Sequence, residues 1–92
     1  MYGVIRRWKD MPVLEELNKH RADVEALIRA VPGVEAYFLI KGTDGGASVT
    51  VCRDQAAAQE TTRQARAWVQ ENVKSAMTST PEITEGEVII RI

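Results

Sequence analysis

Two neighbouring segments in the middle of the chain are apolar on both faces at the two-residue spacing of β-strands. In residues 34–40, one face is apolar throughout and the other carries Tyr37 and Leu39. Residues 47–52 are apolar in step with the first face, after a glycine-rich turn at 42–46. Side chains alternate across a pleated strand, so both surfaces of this predicted hairpin require cover. We expect helices on one surface and a second copy of the chain on the other, which is predicted to carry Tyr37 and Leu39.

The length and charge of the chain limit its partners. Ninety-two residues form one domain, residues 1–92. A domain of this size buries only about 60% of the surface that its unfolded chain exposes, so association would stabilise it. Thirteen acidic and twelve basic residues give a net charge of −1, and the short basic clusters at 6–9 and 19–21 are interpreted as exposed. Nucleic-acid-binding proteins carry a basic surplus on one face, so no nucleic-acid partner is expected.

Cysteine content and hydropathy indicate a compartment. The single cysteine excludes an intramolecular disulfide and a cysteine-rich metal site. The longest apolar run is far shorter than the ~20 residues of a membrane-spanning helix, and the first residues lack the pattern of a signal peptide. We therefore expect a cytoplasmic protein with no membrane partner, no metal site and no cofactor.

The hydrophobic periodicity predicts four strands and two helices. Residues 1–8 and 83–92 alternate as strands at the two ends of the chain. Helices are predicted over 10–30 and 54–73, each with an aspartate as its first, N-capping residue and with apolar side chains at helical spacing. With right-handed crossovers, the order β-α-β-β-α-β predicts an α+β, ferredoxin-like domain. Such a domain is a four-stranded antiparallel sheet with both helices on one face.

Several segments are similar to those of a known superfamily. They are the strand start at 1–6, the turn Val31–Val34 before an aromatic strand, the turn at 44–46 leading into 48–51, the stretch 66–72 and the ending 81–88. Together they resemble the dimeric α/β-barrel superfamily, and most closely its antibiotic-biosynthesis-monooxygenase-like proteins. The resemblance implies a homodimer whose sheets meet across a shared barrel. It also implies a small aromatic or apolar ligand, or haem, held between sheet and helices.

The haem-degrading branch of that superfamily has a residue pattern that this chain lacks. That branch uses an asparagine on the first strand, a tryptophan at the end of the third strand and a histidine on the second helix. Here the first strand has no asparagine, the third strand ends in Cys52, and the only histidine, His20, lies on the first predicted helix. We therefore do not expect haem degradation.

Four side chains are candidates for a site between the sheet and the helices: His20, Thr61, Trp68 and Asn72. Tyr37, predicted on the uncovered sheet face, is a fifth candidate. His20 is the only imidazole, and it is predicted either to act as a general base or to be half-buried and paired with Glu16. Trp68 and Asn72 lie one turn apart, where the indole and the amide can orient a ligand, or Trp68 is simply part of the core. Thr61 belongs to a group of small side chains that leave room beneath Trp68, whereas Tyr37 is predicted at the dimer interface or at the ligand.

Two functions remain open on the sequence alone. One is a cofactor-independent monooxygenase-like enzyme that acts on a small aromatic substrate, with His20 as its catalytic base. The other is a non-catalytic dimer that binds a small apolar ligand or a protein partner. An enclosed pocket that His20 or Tyr37 reaches favours the enzyme, whereas a collapsed space between sheet and helices favours the binding protein.

Overall fold

The structure, a computed structural model, describes residues 1–9, 11–72 and 81–92 of the chain. Its elements are, in order, β1 (Tyr2–Trp8), α1 (Met11–Lys19), α2 (Arg21–Arg29), β2 (Val34–Lys41), β3 (Gly46–Cys52), α3 (Gln55–Asn72) and β4 (Glu82–Glu87). The predicted N-cap at Asp10, the predicted end of the last helix at residue 73 and the loop after it lie outside the described residues. None of the described helices is both long and apolar enough to span a membrane.

The four strands form one antiparallel sheet in the order β2-β3-β1-β4. The helix α1 packs against β1, α2 packs against β2 and α3, and α3 packs against β1 and β3. The buried residues beneath them, which include Val4, Trp8 and Cys52, all lie on one face of the sheet. This is the ferredoxin-like α+β arrangement that the order of elements predicted.

The first predicted helix is two helices, because the chain leaves helical geometry at His20. There φ is −107° and ψ is 29°, and the carbonyl oxygen of His20 accepts hydrogen bonds from the N–H groups of Asp23 and Val24. A straight helix of 20 residues would be about 30 Å long, and the longest dimension of the molecule is 33 Å. The break lets Leu17 of α1 and Ile28 of α2 pack into the same core cluster.

The face of the hairpin that the helices cover is the opposite of the one predicted. Tyr37 and Leu39 pack against the core beneath the helices, whereas Phe38 and Ile40 on the other face are 61% and 54% exposed. Both faces are apolar, so alternation alone does not distinguish them. Pairing with β3 does, because Tyr37 lies opposite Thr50, which is fully buried on the covered face. The uncovered face therefore carries Phe38 and Ile40 rather than Tyr37 and Leu39.

The register of the sheet shifts at the start of β2. Val34 pairs with Cys52 and Ala36 pairs with Val51, so Glu35 is the extra residue of a β-bulge. Simple alternation places Val34 on the same face as Ala36. The bulge instead turns Val34 toward the helices, where it packs against the core.

The last strand is shorter than predicted, because β4 ends at Glu87 rather than at residue 92. Its final pair joins Glu87 to Tyr2, and the N–H of Val88 then donates to the carbonyl oxygen of Met1. Since β1 begins there, it offers no further partner to the end of the chain. Exposed isoleucines follow at positions 89, 90 and 92.

The turn between β2 and β3 requires glycine, as its sequence indicated. Gly45 has a φ of +139°, and a Cβ there would lie 2.4 Å from the carbonyl oxygen of Trp8. The N–H of Gly42 donates to the carbonyl oxygen of Gly45 at 2.7 Å and closes the turn. At the next position, a Cβ on Gly46 would lie 2.9 Å from the side chain of Leu14. The missing side chain of Gly46 therefore lets Leu14 of α1 pack directly on the start of β3.

Candidate functional site

An arginine is buried in the middle of the covered sheet face. Arg6 on β1 is only 4% exposed. Its Nη1 donates to Oγ1 of Thr50 at 3.2 Å, and its Nη2 donates to Oγ1 of Thr61 at 3.3 Å and to Oγ1 of Thr62. These acceptors are neutral hydroxyls from β3 and α3. Together with Ser48, which faces Arg6 across the sheet, we refer to these residues as the Arg6 cluster.

The helix α3 presents its two threonine oxygens to Arg6 as acceptors. Thr61 and Thr62 both donate their hydroxyl hydrogen to the carbonyl oxygen of Ala58, at 2.7 and 3.2 Å. A hydroxyl has one hydrogen and two lone pairs, so a threonine bonded in this way can only accept from Arg6. The two hydrogen bonds to Ala58 therefore fix the direction of the hydrogen bonds between Arg6 and α3, in which Arg6 is the donor.

Two buried polar atoms of the cluster have no hydrogen-bond partner in the part of the chain that the structure describes. They are Nε of Arg6 and Oγ of Ser48. The two residues are opposite each other in the pairing of β1 with β3. Buried polar groups in native proteins are nearly always paired. Ser48 lies close enough to the Tyr37 hydroxyl to lower the pKa of that hydroxyl, so the unpaired Nε of Arg6 is the exception that marks this region as a candidate site.

The Arg6 cluster is electrostatically unbalanced. Burial lowers the pKa of the Arg6 guanidinium; Tyr37, Cys52 and Glu85 act to raise the pKa, and the positive charge of Arg66 lowers it further. A buried charge is normally paired with an opposite charge that is also hydrogen-bonded. Among the described residues, Arg6 donates only to neutral oxygens, and Glu85 acts on its charge from an exposed position without a hydrogen bond, so the positive charge is compensated only in part.

The Tyr37 hydroxyl and the Cys52 thiol, on the sheet face that the helices cover, are held in their protonated forms. Burial raises the pKa of the Tyr37 hydroxyl, although the charge of Arg6 opposes the shift. Burial also raises the pKa of the Cys52 thiol against the opposing influence of Arg6. Cys52 is therefore not an activated nucleophile, and Tyr37 remains a hydrogen-bond donor. Within the described ranges, no three His, Cys, Asp or Glu side chains lie together as metal ligands would.

A half-open cavity of about 550 Å³ lies between α2 and β2, and we refer to it as the α2–β2 cavity. Val24 and Ile28 of α2 and Tyr37 and Leu39 of β2 form its apolar walls, and charged side chains of both elements complete it. The volume is within the range of about 300–1,000 Å³ that is typical of small-molecule sites. Of the five predicted site residues, Tyr37 lines this cavity.

The structure brings two other predicted residues into contact. The rings of His20 and Trp68 meet edge to face, with centroids 5.8 Å apart and an interplanar angle of 64°. Nε2 of His20 lies 3.6 Å from a carboxylate oxygen of Glu16, which is the predicted pairing, and Nδ1 lies 3.8 Å from Asp23. Trp68 packs against the core cluster that contains Val24. Neither ring is among the residues that line the α2–β2 cavity.

The remaining two predicted residues lie apart from that pair. The side-chain amide of Asn72 is exposed and donates to the carbonyl oxygen of Trp68 at 2.9 Å. Thr61 is a buried member of the Arg6 cluster. The five candidates are therefore divided among the cavity wall, the His20–Trp68 contact, the Arg6 cluster and the end of α3.

Arg6 is not among the predicted site residues, because the basic cluster at 6–9 is typical of an exposed segment. The alternation of β1 contains the signal that identifies it. Arg6 stands between Val4 and Trp8 on the same side of the strand, and both of those residues are apolar and buried. An arginine at an inward position of a strand is informative, because arginine is rarely buried without a partner.

A second concave surface, of about 340 Å³, runs along the side of α3, and we refer to it as the α3 groove. Its lining residues are Gln59, Thr62, Arg63, Arg66, Ala67 and Gln70. Arg63 donates to both carboxylate oxygens of Glu60, one turn earlier on the helix. Thr62 links the groove to the Arg6 cluster, because it belongs to both.

Comparison with known proteins identifies the fold. No protein-family model and no curated protein matches the chain. A protein of unknown function from Nitrosomonas europaea is 21% identical, with a TM-score of 0.80 over 99% of this chain and 91% of that one. SnoaB, a cofactor-independent oxygenase from Streptomyces nogalater, is 15% identical, with a TM-score of 0.74 over 99% of this chain and 95% of its own.

A haem protein also has this architecture. MhuD, a haem degrader from Mycobacterium tuberculosis with two haems bound in its active site, is 18% identical, with a TM-score of 0.68 over 100% of this chain and 99% of its own. Likeness at these levels of identity establishes the fold. The fold that the order of elements predicted, a ferredoxin-like α+β domain, is therefore confirmed.

Proposed function

We propose that this chain is a dimeric, cofactor-independent monooxygenase-like enzyme that binds a small aromatic substrate in the α2–β2 cavity. The observation that carries the proposal is the cavity itself. Its volume suits a small molecule, and its walls combine apolar side chains with the hydroxyl of Tyr37. The likeness in fold to SnoaB, which is described as a cofactor-independent oxygenase, supports the same reaction class.

The proposed oxygenation requires a proton acceptor. Oxygenation without a cofactor requires an electron-rich substrate, because the substrate itself must reduce O₂. Loss of a proton makes a phenol more electron-rich, so the enzyme needs a base near the bound substrate. His20 is our candidate, since it is the only imidazole in the chain and it precedes Arg21, which lines the cavity. Its ring contacts Trp68 outside the cavity lining, so the proposal requires a change of side-chain rotamer that brings the imidazole to the substrate. Tyr37 would donate a hydrogen bond to the substrate from the cavity wall.

A second copy of the chain is the proposed cover for the outer sheet face. Phe38 and Ile40 are exposed there, and Ile5, Val49 and Val51 are only half-buried. An apolar patch of this kind on a soluble monomer promotes aggregation, and a symmetric dimer removes it from water. We place this dimer in the reducing cytoplasm, where a single buried thiol such as Cys52 persists without a disulfide.

Oxygen consumption with a panel of hydroxynaphthalenes tests the proposed function. For any compound consumed, His20→Ala is expected to lower kcat by about a hundredfold or more, because general-base catalysis contributes at least that much. Lys19→Ala, at the neighbouring exposed position, is the matched control and is expected to retain full activity. An unchanged kcat in His20→Ala would contradict the catalytic assignment.

A non-catalytic binding protein is the second candidate function, and the positions of the polar side chains favour it. The rings of His20 and Trp68 do not line the cavity, and the amide of Asn72 is bonded to its own helix. On this alternative, a hydroxynaphthalene shifts the NMR signals of Leu39 in a saturable manner while no oxygen is consumed. That outcome would assign the chain as a ligand-binding dimer.

A further inference from the structure

The α3 groove contains cationic side chains but no acidic one among its lining residues. Arg63 is paired with Glu60, so its charge is compensated within α3. Arg66 is exposed, and no carboxylate of the described residues lies within salt-bridge distance of its guanidinium. The groove therefore offers one uncompensated guanidinium beside the amide groups of Gln59 and Gln70.

The Arg6 cluster lies directly behind this groove. The hydroxyl oxygen of Thr62 accepts a hydrogen bond from Arg6, and Thr62 also lines the groove. The positive charges of Arg6 and Arg66 repel each other. Glu85 on β4 attracts Arg6, but it is exposed and forms no hydrogen bond with it. Arg66 thus lines the groove, and Arg6 lies behind Thr62 with only neutral hydrogen-bond partners among the described residues.

An anion in the groove would relieve this imbalance. Coulombic attraction is stronger beside a poorly solvated interior than in open water, so the buried charge of Arg6 adds to the attraction of Arg66. A guanidinium presents two parallel N–H donors that match the two oxygens of a carboxylate. The methyl group of Ala67 and the aliphatic stems of the arginines supply apolar contact for the rest of a small ligand.

We propose that the α3 groove binds the carboxylate group of a small organic acid, with Arg66 as the direct partner and Arg6 as the buried charge that reinforces it behind Thr62. The site is separate from the α2–β2 cavity. It goes beyond the proposed function, and it stands whether or not the chain is an oxygenase.

Titration of the isotope-labelled full chain with benzoate, followed by NMR, tests this site. Millimolar benzoate is expected to shift the amide signals of Thr62, Arg66 and Gln70 in a saturable manner. Arg66→Gln is expected to raise the Kd for benzoate about tenfold, because it removes a charge-assisted bidentate contact. Arg91→Gln removes the same charge from an exposed residue that lines neither the α3 groove nor the α2–β2 cavity, and it is the matched control that should leave the Kd unchanged.

Two further measurements separate the parts of the proposal. Thr62→Val removes the hydroxyl that joins Arg6 to the groove, and it should weaken benzoate binding by less than Arg66→Gln does. A parallel titration with inorganic phosphate distinguishes the kind of anion, and tighter binding of phosphate than of benzoate would overturn the carboxylate assignment. Absence of saturable shifts, an unchanged Kd in Arg66→Gln, or shifts confined to Leu39 and its neighbours would overturn the site itself.

Discussion

Burial of the Arg6 guanidinium costs free energy, and no carboxylate of the described residues forms a hydrogen bond with it. Its guanidinium donates to three threonine oxygens, while its Nε remains unpaired among the described residues. Hydrogen bonds to neutral groups only partly replace the hydration that a buried ion loses. The position of Arg6 is therefore better explained by a role in binding than by a contribution to stability.

The free-energy cost of burying the guanidinium predicts opposite results for two substitutions of Arg6. Arg6→Met is expected to leave the free energy of unfolding unchanged or raise it by about 1–2 kcal/mol, because methionine fills much of the same space without a charge. Arg6→Ala is expected to lower it by about 2–4 kcal/mol, because it leaves a cavity. Urea unfolding followed by tryptophan fluorescence measures both. A large loss of stability in Arg6→Met would show that the threonine hydrogen bonds outweigh the cost of burial.

Cys52, which is buried, and Tyr37, which is partly buried, are expected to make the protein less stable at alkaline pH. Burial raises their pKa values above the ordinary 9.0 and 10.0. The unfolded chain then loses these protons at a lower pH than the folded chain does. Their contribution to stability is therefore complete below about pH 9 and is lost as the pH rises through the folded pKa values.

Denaturation at a series of alkaline pH values tests this linkage. Cys52→Ala and Tyr37→Phe should each make the free energy of unfolding fall less steeply with pH above about pH 9, because each removes one group that titrates differently in the two states. Slopes that match that of the unsubstituted chain would show that other groups cause the alkaline loss.

At the level of elements, the starts of α2 and α3 have different physical causes. The start of α3 is local, because Oδ1 of Asp54 accepts a hydrogen bond from the N–H of Ala57 at 2.9 Å. The start of α2 at His20 has no side-chain cap. It follows from the need of α1 and α2 to pack along different parts of the sheet, which the periodicity of residues 10–30 does not reveal.

The cap of α3 is expected to contribute measurably to stability. Asp54→Ala should lower the free energy of unfolding by about 1 kcal/mol, the usual effect of losing an N-cap. Asp54→Asn keeps the side-chain oxygen and should lose much less, as measured by thermal or urea unfolding. Equal losses in the two variants would attribute the effect to the charge of Asp54 and its ion pair with Arg53 at 3.6 Å rather than to the cap.

For the whole molecule, the two faces of the sheet differ in what they bury. The covered face combines an apolar core with the polar Arg6 cluster, whereas the outer face ends in the exposed side chains of Phe38 and Ile40. The chain after β4 adds further exposed isoleucines at 89, 90 and 92. A domain of this size gains substantially from burying such surface against a partner, which is why we propose a dimer.

Light scattering should find about twice the mass of one chain, because a dimer removes the apolar outer face from water. Combining Phe38→Lys with Ile40→Lys is expected to convert the protein into a folded monomer, since charges within a sheet interface block association. Ala26→Lys places a charge on the exposed side of α2 and is the control that should remain dimeric. A double variant that stays dimeric would place the interface elsewhere.

The sequence alone determined the order of the strands and helical segments, the antiparallel sheet, the glycine turn and the cap at Asp54, but not the break between α1 and α2 at His20. Each of these depends on local chemistry or on a period that survives without knowledge of contacts. The tertiary structure decided the rest. Alternation shows that both faces of the hairpin are apolar, but only the pairing of β2 with β3 decides that Tyr37 is covered and Phe38 is not.

The same reason explains what could be predicted of the candidate site. The sequence pointed to five residues. The structure places His20 and Trp68 in contact, Tyr37 on a cavity wall, Thr61 in the Arg6 cluster and Asn72 at the exposed end of α3. The Arg6 cluster was not predicted, because its members are up to 56 positions apart and meet only when β1, β3 and α3 pack together. From the sequence alone, a charged residue on a strand is predicted to be exposed. Only the packed structure shows which face of the strand is buried, because burial depends on how the elements assemble.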